Sequence, residues 1–287
     1  MKKYVLIFTI IIVFITFLTS VTGFYSSPKL TVNSFVNVKG ENVNLVGNGI
    51  YKNNPVYFTT AAIGFDAVRL FVSLPILIIA FLFYLRGSLS SGIIMAGILL
   101  SYFYQYFEFV MAFSYNTMFL LYTSGFSLSL ITAIILIIIL QKQYTTKNIE
   151  KHFPVKTIAI FLITAGFLLL LKCLGETFSS LLGGIQPEHT IGQHTLWDQA
   201  MDMGLIFPYC FIIGVLLLRK NVYAYLLSAV GLIFFANLVL SVIIGELYSS
   251  NYTGSFNFFG VILFSILECI SLLLVIKVMF VFKKCGN

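Results

Sequence analysis

Eight long runs of apolar residues, separated by short polar connections, limit most strongly what this chain can fold into. Each run is roughly 20 residues long, which is the helix length that crosses about 30 Å of hydrocarbon. Charged residues make up only 9% of the sequence, whereas they make up about 25% of a soluble domain. Because a backbone in lipid has to satisfy its own hydrogen bonds, we predict an all-α, polytopic membrane helix bundle with about eight transmembrane helices.

The first apolar run admits two interpretations. Two lysines precede a stretch that continues to Phe24, and residues 21–23 (Val-Thr-Gly) have the small side chains of a cleavage site. These features are typical of a signal peptide, whose removal would leave seven helices. The run is also long enough to span a bilayer, so we favour an N-terminal transmembrane helix or signal anchor over residues 1–24.

The segment 25–59 is the longest polar region and is predicted to be extracytoplasmic. Apolar and polar residues alternate on both sides of Gly40, in LTVNSFVNV and VNLVGNGIY. Alternation around a glycine-containing turn is typical of a β-hairpin, and a loosely structured loop is the alternative. Residues 60–287 are predicted to form a seven-helix transmembrane bundle. Its spans are expected at about 61–85, 90–113, 115–140, 157–182, 197–218, 222–247 and 256–282.

The placement of basic residues predicts how these helices are oriented. With the N-terminus inside, the inner loops and tail hold eleven basic residues and the outer loops hold three. The inner group is Lys2, Lys3, Arg86, Lys142, Lys147, Lys151, Lys156, Arg219, Lys220, Lys283 and Lys284, and the outer group is Lys29, Lys39 and Lys52. This positive-inside bias predicts a cell (cytoplasmic) membrane protein with both termini cytoplasmic if the first helix is retained.

The net charge of +7 therefore reflects topology and contact with the lipid bilayer, and we expect no binding of nucleic acid. No GxSxG, HExxH, P-loop or dinucleotide-binding motif stands in a usable context. The four cysteines have no CxxC spacing and favour no disulfide framework. We accordingly expect no cofactor.

Seven of the ten acidic residues lie within the predicted spans or at their ends. They are Asp66, Glu108, Glu176, Asp198, Asp202, Glu246 and Glu268. Only Arg69 and Lys172 are basic at the same depth. Asp66 and Arg69 are three residues apart, and Lys172 and Glu176 are four apart, so each pair can meet on one helix face. An ion in a bilayer costs at least ~2.5 kcal/mol and usually faces the bundle interior, so the excess of acids predicts a polar, acidic, outward-facing centre.

The candidates for this polar centre are Glu108, Asn116, Tyr104, Arg69, Asp66, Lys172, Glu176, Asp202 and Glu268. A cavity lined by these side chains would bind a small cationic solute or protons. The alternative is structural. Asp198, Glu246 and Asp66 would lie at the wet membrane interface, and Glu108 and Glu268 would hold helices together by hydrogen bonds.

One set of residues has the spacing of a metal site. His194, Asp198 and Asp202 fall at i, i+4 and i+8, so an early start of the sixth span would align them on one face. A histidine with carboxylates is a ligand set for a divalent metal. Membrane metallohydrolases generally supply several histidines from different spans. Here His189 lies near His194, and the remaining histidine, His152, is in an inner loop, so we do not favour a metal.

Three stretches carry a resemblance to a known family: residues 74–92 (LPILIIAFLFYLRGSLSSG), 102–130 (YFYQYFEFVMAFSYNTMFLLYTSGFSLSL) and 202–221 (DMGLIFPYCFIIGVLLLRKN). In them the chain resembles a family of uncharacterised bacterial multi-pass integral membrane proteins. The resemblance implies a topology and no known activity. It also implies that the following residues belong to a common pattern: Asp202, Gly204, Pro208, Tyr115 and Asn116.

These observations leave three hypotheses of function. The least demanding is a sensor, assembly or immunity-type membrane protein, in which 25–59 meets an extracytoplasmic protein partner. The alternative is a small-solute, ion or proton-coupled transporter that uses the acidic centre. The second alternative is a membrane enzyme acting on an extracytoplasmic or lipid substrate with a carboxylate as acid or base.

Overall fold

The structure, a computed structural model, describes residues 1–26, 30–37, 40, 42–143, 149–183, 195–254 and 256–285. Within these ranges, eight helical spans are long and apolar enough to cross a membrane, as the sequence predicts. The helices are α1 (Lys2–Phe24), α2 (Val56–Val68), α3 (Leu74–Leu85), α4 (Leu89–Met111), α5 (Phe119–Gln141), α6 (Val155–Gly183), α7 (Trp197–Met201), α8 (Phe207–Leu218), α9 (Val222–Thr253) and α10 (Phe258–Cys285). Two π-helical segments, π1 (Arg69–Ser73) and π2 (Asp202–Ile206), join α2 to α3 and α7 to α8. The chain is an all-α multi-pass membrane bundle.

Most spans begin and end within a few residues of the predicted positions, and two ends differ more. α2 begins at Val56, directly after Pro55, although the second span was expected from about residue 61. α9 continues to Thr253, past the expected end at 247, and stops where Gly254 adopts a left-handed φ of 71°. A glycine at that position ends a helix without steric cost.

The segment between the first two spans contains a small antiparallel hairpin. Its strands are β1 (Leu30–Val36) and β2 (Asn42–Val46), and Phe35 lies opposite Val43 in their register. Gly40, between the strands, has a φ of 81°, a conformation that glycine adopts without strain. The side chain of Val46 is buried, so the hairpin packs against the rest of the molecule.

Helices α4 and α9 form the centre of the bundle. In the most apolar stretch of each of these two helices 72% of the residues are buried, whereas in that of α10 only 17% are. α4 packs against α3, α5 and α9, and α1 packs against α2 and α5. The exposed apolar side chains of the outer helices are the surface that the bilayer covers.

A crossing with direct backbone contact joins α2 to α9. A Cβ atom on Gly64 would lie 2.5 Å from the Cα and 2.6 Å from the backbone N of Gly245. Only hydrogen atoms on both Cα positions allow this approach, which is a common way for transmembrane helices to pack. The crossing fixes α2 against the central helix just before π1 begins.

The two π segments share a sequence pattern. π1 begins at Arg69 and Pro75 follows six positions later, and π2 begins at Asp202 and Pro208 follows six positions later. A proline has no N–H to donate, so an upstream carbonyl loses its helical partner and the turn can widen. Within the described residues, each widened turn thus starts at an ionisable side chain.

Candidate functional site

Asp66 and Arg69 form a buried ion pair in the middle of the second span. Arg69 Nη2 donates to Asp66 Oδ1 at 2.6 Å, and the two side chains are 0–1% exposed. The predicted pairing of these residues is confirmed. The interpretation that Asp66 lies at a wet interface is wrong, because helices and the hairpin segment enclose its carboxylate completely.

Four tyrosines surround this pair, and we call them the tyrosine shell: Tyr51, Tyr102, Tyr106 and Tyr122. All four are at most 1% exposed. The guanidinium carbon of Arg69 lies 5.2 Å from the ring centre of Tyr106 and 4.5 Å from that of Phe109. At these distances the ring faces attract the cation, and this attraction offsets part of the cost of burying it.

Tyr51 comes from outside the transmembrane helices. It lies in the insert, by which we mean residues 25–55, and its hydroxyl donates to Asp66 Oδ2. Burial, and next the negative charge of Asp66, raise the pKa of Tyr51 well above its ordinary value of 10.0. The hydroxyl therefore stays protonated and remains a hydrogen-bond donor.

Further contacts hold the insert over the bundle. The backbone N of Ser114, in the α4–α5 turn, donates to Asn54 Oδ1 at 2.8 Å, and Ser114 Oγ donates to the carbonyl of Asn53 at 3.0 Å. The backbone N of Ile50 donates to Ser26 Oγ at 2.9 Å. These bonds seat Tyr51 above Asp66 and close the ion pair off on the insert side.

The first helix contributes polar contacts to the same region. The Tyr106 hydroxyl lies 3.0 Å from Thr16 Oγ1 and 3.0 Å from Thr19 Oγ1. A Cβ atom on Gly23 would collide with the carboxylate of Asp66 and the hydroxyl of Tyr51. The absence of a side chain at Gly23 on α1 therefore leaves room for the hydrogen bond between Tyr51 and Asp66.

Several buried polar atoms around Arg69 lack a partner within the described residues. They include Arg69 Nε, Arg69 Nη1, and the hydroxyls of Tyr102 and Tyr122. The Tyr122 hydroxyl approaches that of Tyr51, and the Tyr102 hydroxyl approaches Ser73, but neither pair reaches hydrogen-bond geometry. A buried donor without an acceptor costs about 1–3 kcal/mol, and a charged donor costs more, so water or a bound molecule that supplies acceptors here would stabilise the protein.

A chain of amides and hydroxyls continues from π1 into α4 and α9. Ser73 Oγ donates to Asn237 Oδ1, and Asn237 Nδ2 donates to Ser101 Oγ. One turn further along α4, Gln105 Nε2 donates to Ser241 Oγ at 3.1 Å. All these side chains are buried, so they link π1 to the centre of the bundle.

A second polar region lies at π2, and we call Glu108, Asp198 and Asp202 the acidic cluster. The Tyr104 hydroxyl donates to Asp202 Oδ1 at 2.9 Å. Asp198, Arg69 and Asp202 are the charged neighbours of Glu108, whose carboxylate has no hydrogen bond to any described residue. The negative charges of Asp198 and Asp202 repel an ionised Glu108, so the region favours bound protons.

One lysine lies beside the acidic cluster. Lys172 Nζ is 3.5 Å from Glu176 Oε1, which confirms the predicted pair on α6. Gln199 Nε2 donates to Glu176 Oε2 at 2.6 Å. The Lys172 side chain is 48% exposed and is already paired with Glu176, so its charge compensates the acidic cluster only in part.

The two polar regions lie on two sides of α4. Tyr102 and Tyr106 are one turn apart and face Arg69, whereas Tyr104 and Glu108 are one turn apart and face π2. Residues 102 and 104 differ by about 200° around a helix, since each residue turns it by about 100°. The predicted single polar centre is therefore two regions separated by one helix.

Two predicted candidates lie elsewhere. Glu268, on α10, is 6% exposed and accepts from Ser271 Oγ on its own helix at 3.3 Å. Asn116 lies in the α4–α5 turn, where its Oδ1 accepts from the backbone N of Met118 at 2.9 Å. Glu268 is thus held on the peripheral helix, and Asn116 shapes a turn.

The weak metal candidate lies only partly within the structure. His194 is outside the described residues, and Asp198 and Asp202 belong to the acidic cluster. Among the described residues, no three histidine, cysteine, aspartate or glutamate side chains are grouped closely enough to hold a metal ion.

Sequence reasoning missed Tyr51 and π1. Tyr51 follows an alternating stretch that predicts a strand or loop, and nothing local to it predicts burial beside a carboxylate. For π1 a clue exists, because Arg69 precedes Pro75 by the same interval that separates Asp202 from Pro208. Comparison of the chain with protein-family models, curated proteins and solved structures finds no match.

Proposed function

We propose that this protein is a proton- or cation-coupled carrier of a small solute. The observation that carries the proposal is that two spans each contain a π turn, which starts at an ionisable residue, Arg69 or Asp202. Widened turns occur often at functional sites. Carriers bind substrates and coupling ions where transmembrane helices are interrupted near the bilayer midplane.

The acidic cluster would hold the coupling ion. Glu108, Asp198 and Asp202 carry more negative charge than the half-exposed Lys172 compensates. In a low-dielectric region such carboxylates take up a proton or a cation. Glu108 also interacts electrostatically with Arg69. Ion binding beside π2 would therefore change the electrostatic surroundings of Arg69 at π1.

Tyr51 would act as the gate on the insert side. The charge distribution of the loops predicts that the insert lies outside the cell, and the Tyr51 hydroxyl covers Asp66 on that side. Release of a solute at that side would need the insert to move away. Apart from the loops at 142–154 and 184–196, short connections join the spans after the insert.

Proton flux into liposomes tests the proposal. The purified protein is reconstituted with pyranine inside and with the membrane potential clamped, and solutes are added outside: choline, neutral amino acids, and short carboxylates. Because protonated short carboxylic acids cross lipid unaided, proton movement is counted only as the excess over protein-free liposomes. We expect at least one class to drive proton movement, and E108Q and D202N each to reduce it about tenfold or more, the effect of losing about 1.4 kcal/mol of coupling. The matched control is E150Q, since Glu150 is an exposed partner of Lys220.

Two results would contradict the carrier. One is the absence of proton movement with every solute class from protein that is folded and inserted. The other is a flux in E108Q and D202N equal to that of the wild type.

A specific contact also favours a second function, that of a sensor. Tyr51 joins the insert directly to an intramembrane charge, so a protein partner that binds the hairpin would change the surroundings of Arg69. Deletion of the strands, residues 30–46, separates the two functions. A carrier would keep or increase its solute flux, whereas a sensor would lose its response to the partner.

A further inference from the structure

We propose that Arg69 and the tyrosine shell bind the carboxylate group of a small monoanionic solute, so that the substrate class of the proposed carrier is a short monocarboxylate. This inference rests on the proposed function. It is carried by the buried polar atoms around Arg69 that no described residue satisfies.

The first argument is the donor count. Of the three guanidinium nitrogens only Nη2 donates to Asp66, and Nε and Nη1 are buried with no acceptor among the described residues. Charged donors buried without acceptors are expensive. A molecule that brings oxygen acceptors to this place removes that cost.

The second argument is the chemistry of the surroundings. A guanidinium prefers carboxylate oxygens to neutral acceptors, because the hydrogen bonds are charge-assisted. The hydroxyls of Tyr102 and Tyr122 are buried nearby without partners and can donate to the same oxygens. Phe109 and Phe113, which stack at a ring distance of 4.7 Å, provide an apolar wall for the body of the solute. A cationic solute would instead be repelled by Arg69.

The third argument is charge balance. Arg69 and Asp66 together are neutral, so a bound carboxylate would leave one uncompensated negative charge in a low-dielectric site. A proton that enters with the anion removes it. The groups that face the pair and can titrate are the hydroxyls of the tyrosine shell, the Asp66 carboxyl itself, and the Glu108 carboxyl on α4. Carboxyls accept this proton far more readily than phenols, so we infer symport of one proton with one anion.

Entry of the anion requires Tyr51 to leave Asp66. Its hydroxyl occupies Asp66 Oδ2, and the Asn54 and Ser114 contacts hold it there. The described structure is therefore the closed state, in which Tyr51 stands between the site and the insert side.

Equilibrium binding to protein in lipid nanodiscs tests the inference. The probes are radiolabelled benzoate and acetate, and the matched neutral probes are benzamide and acetamide. We expect saturable binding of the carboxylates and none of the amides. R69K keeps the positive charge beside Asp66 but loses the planar donors, and we expect it to weaken binding about tenfold, as for one charge-assisted hydrogen bond.

Other variants keep the test interpretable if R69K folds poorly. Y102F and Y122F remove one unpartnered hydroxyl each and leave the ring packing, and each is expected to weaken carboxylate binding several-fold. K220Q removes an exposed lysine far from the site and should leave binding unchanged.

The outcomes separate this inference from the proposed function. Proton movement driven by choline or a neutral amino acid, with no carboxylate binding, overturns the monocarboxylate site and leaves the carrier. Carboxylate binding that R69K, Y102F and Y122F do not weaken also overturns the site. Binding that depends on Arg69, without any proton movement in liposomes, supports the site and contradicts the carrier.

Discussion

Tyr51 belongs to the insert by sequence and to the transmembrane core by contact. Its ring lies 5.9 Å from that of Phe109 and 5.5 Å from that of Phe113, and its hydroxyl bonds to Asp66. Its pKa is higher in the folded chain than in an unfolded one, so the stability that it contributes is present below about pH 10 and declines as the pH rises further. At neutral pH the contact is fully formed.

Substitution Y51F should separate the hydrogen bond from the packing. The ring contacts remain, but Asp66 loses one of its two partners while staying buried. We expect a loss of about 1–3 kcal/mol in the free energy of unfolding, measured by thermal or denaturant unfolding in detergent. Y115F is the matched control, because Tyr115 is 84% exposed. A Y51F protein as stable as Y115F would show that the bond to Asp66 contributes nothing.

At the scale of elements, the crossing of α2 and α9 positions π1. Gly64 and Gly245 bring the two backbones into direct contact, and Asn237 on α9 then bonds to Ser73 at the end of π1. The broken span is thus held against the central helix on both sides of Arg69. Displacement of α2 would move the ion pair relative to α4.

Two alanine substitutions test this crossing. In G64A the new methyl group meets backbone atoms of α9, which cannot rotate away, and we expect a loss of about 1–3 kcal/mol in stability. In G175A, on α6, the methyl group meets nothing within 4 Å, so alanine should be neutral or stabilise the helix by up to about 1 kcal/mol. Thermal unfolding of the two variants side by side gives the measurement. Equal melting temperatures would contradict close packing at Gly64.

The whole molecule is a bundle in which the spans could be predicted and much of the site could not. The hydropathy of each span is local, so all eight helices follow from the sequence, and the three-residue spacing fixes the Asp66–Arg69 pair. The docking of Tyr51 depends on how a 31-residue insert folds back, which no local pattern encodes. The helical faces of α4 can be read from the sequence, but which neighbours cover them depends on the packing order of the bundle.

Cysteine accessibility tests the orientation of the bundle in the membrane. In a variant without the native cysteines, K52C in the insert should react with a membrane-impermeant maleimide in intact cells. K142C, after α5, should react only after permeabilisation, because the charge distribution places it inside. The reverse labelling pattern would invert the topology and move the Tyr51 gate to the cytoplasmic side.

If the insert lies outside the cell, as the charge distribution predicts, the hairpin connects the cell surface to the intramembrane charge pair. An antibody fragment or other protein too large to enter the bilayer could bind β1 and β2. A displacement of the hairpin would then reach Asp66 through the hydrogen bond of Tyr51. Pulling the hairpin outward would expose Arg69, and clamping it down would keep Arg69 enclosed. Agents of opposite effect could therefore be selected against the same surface, without any of them crossing the membrane.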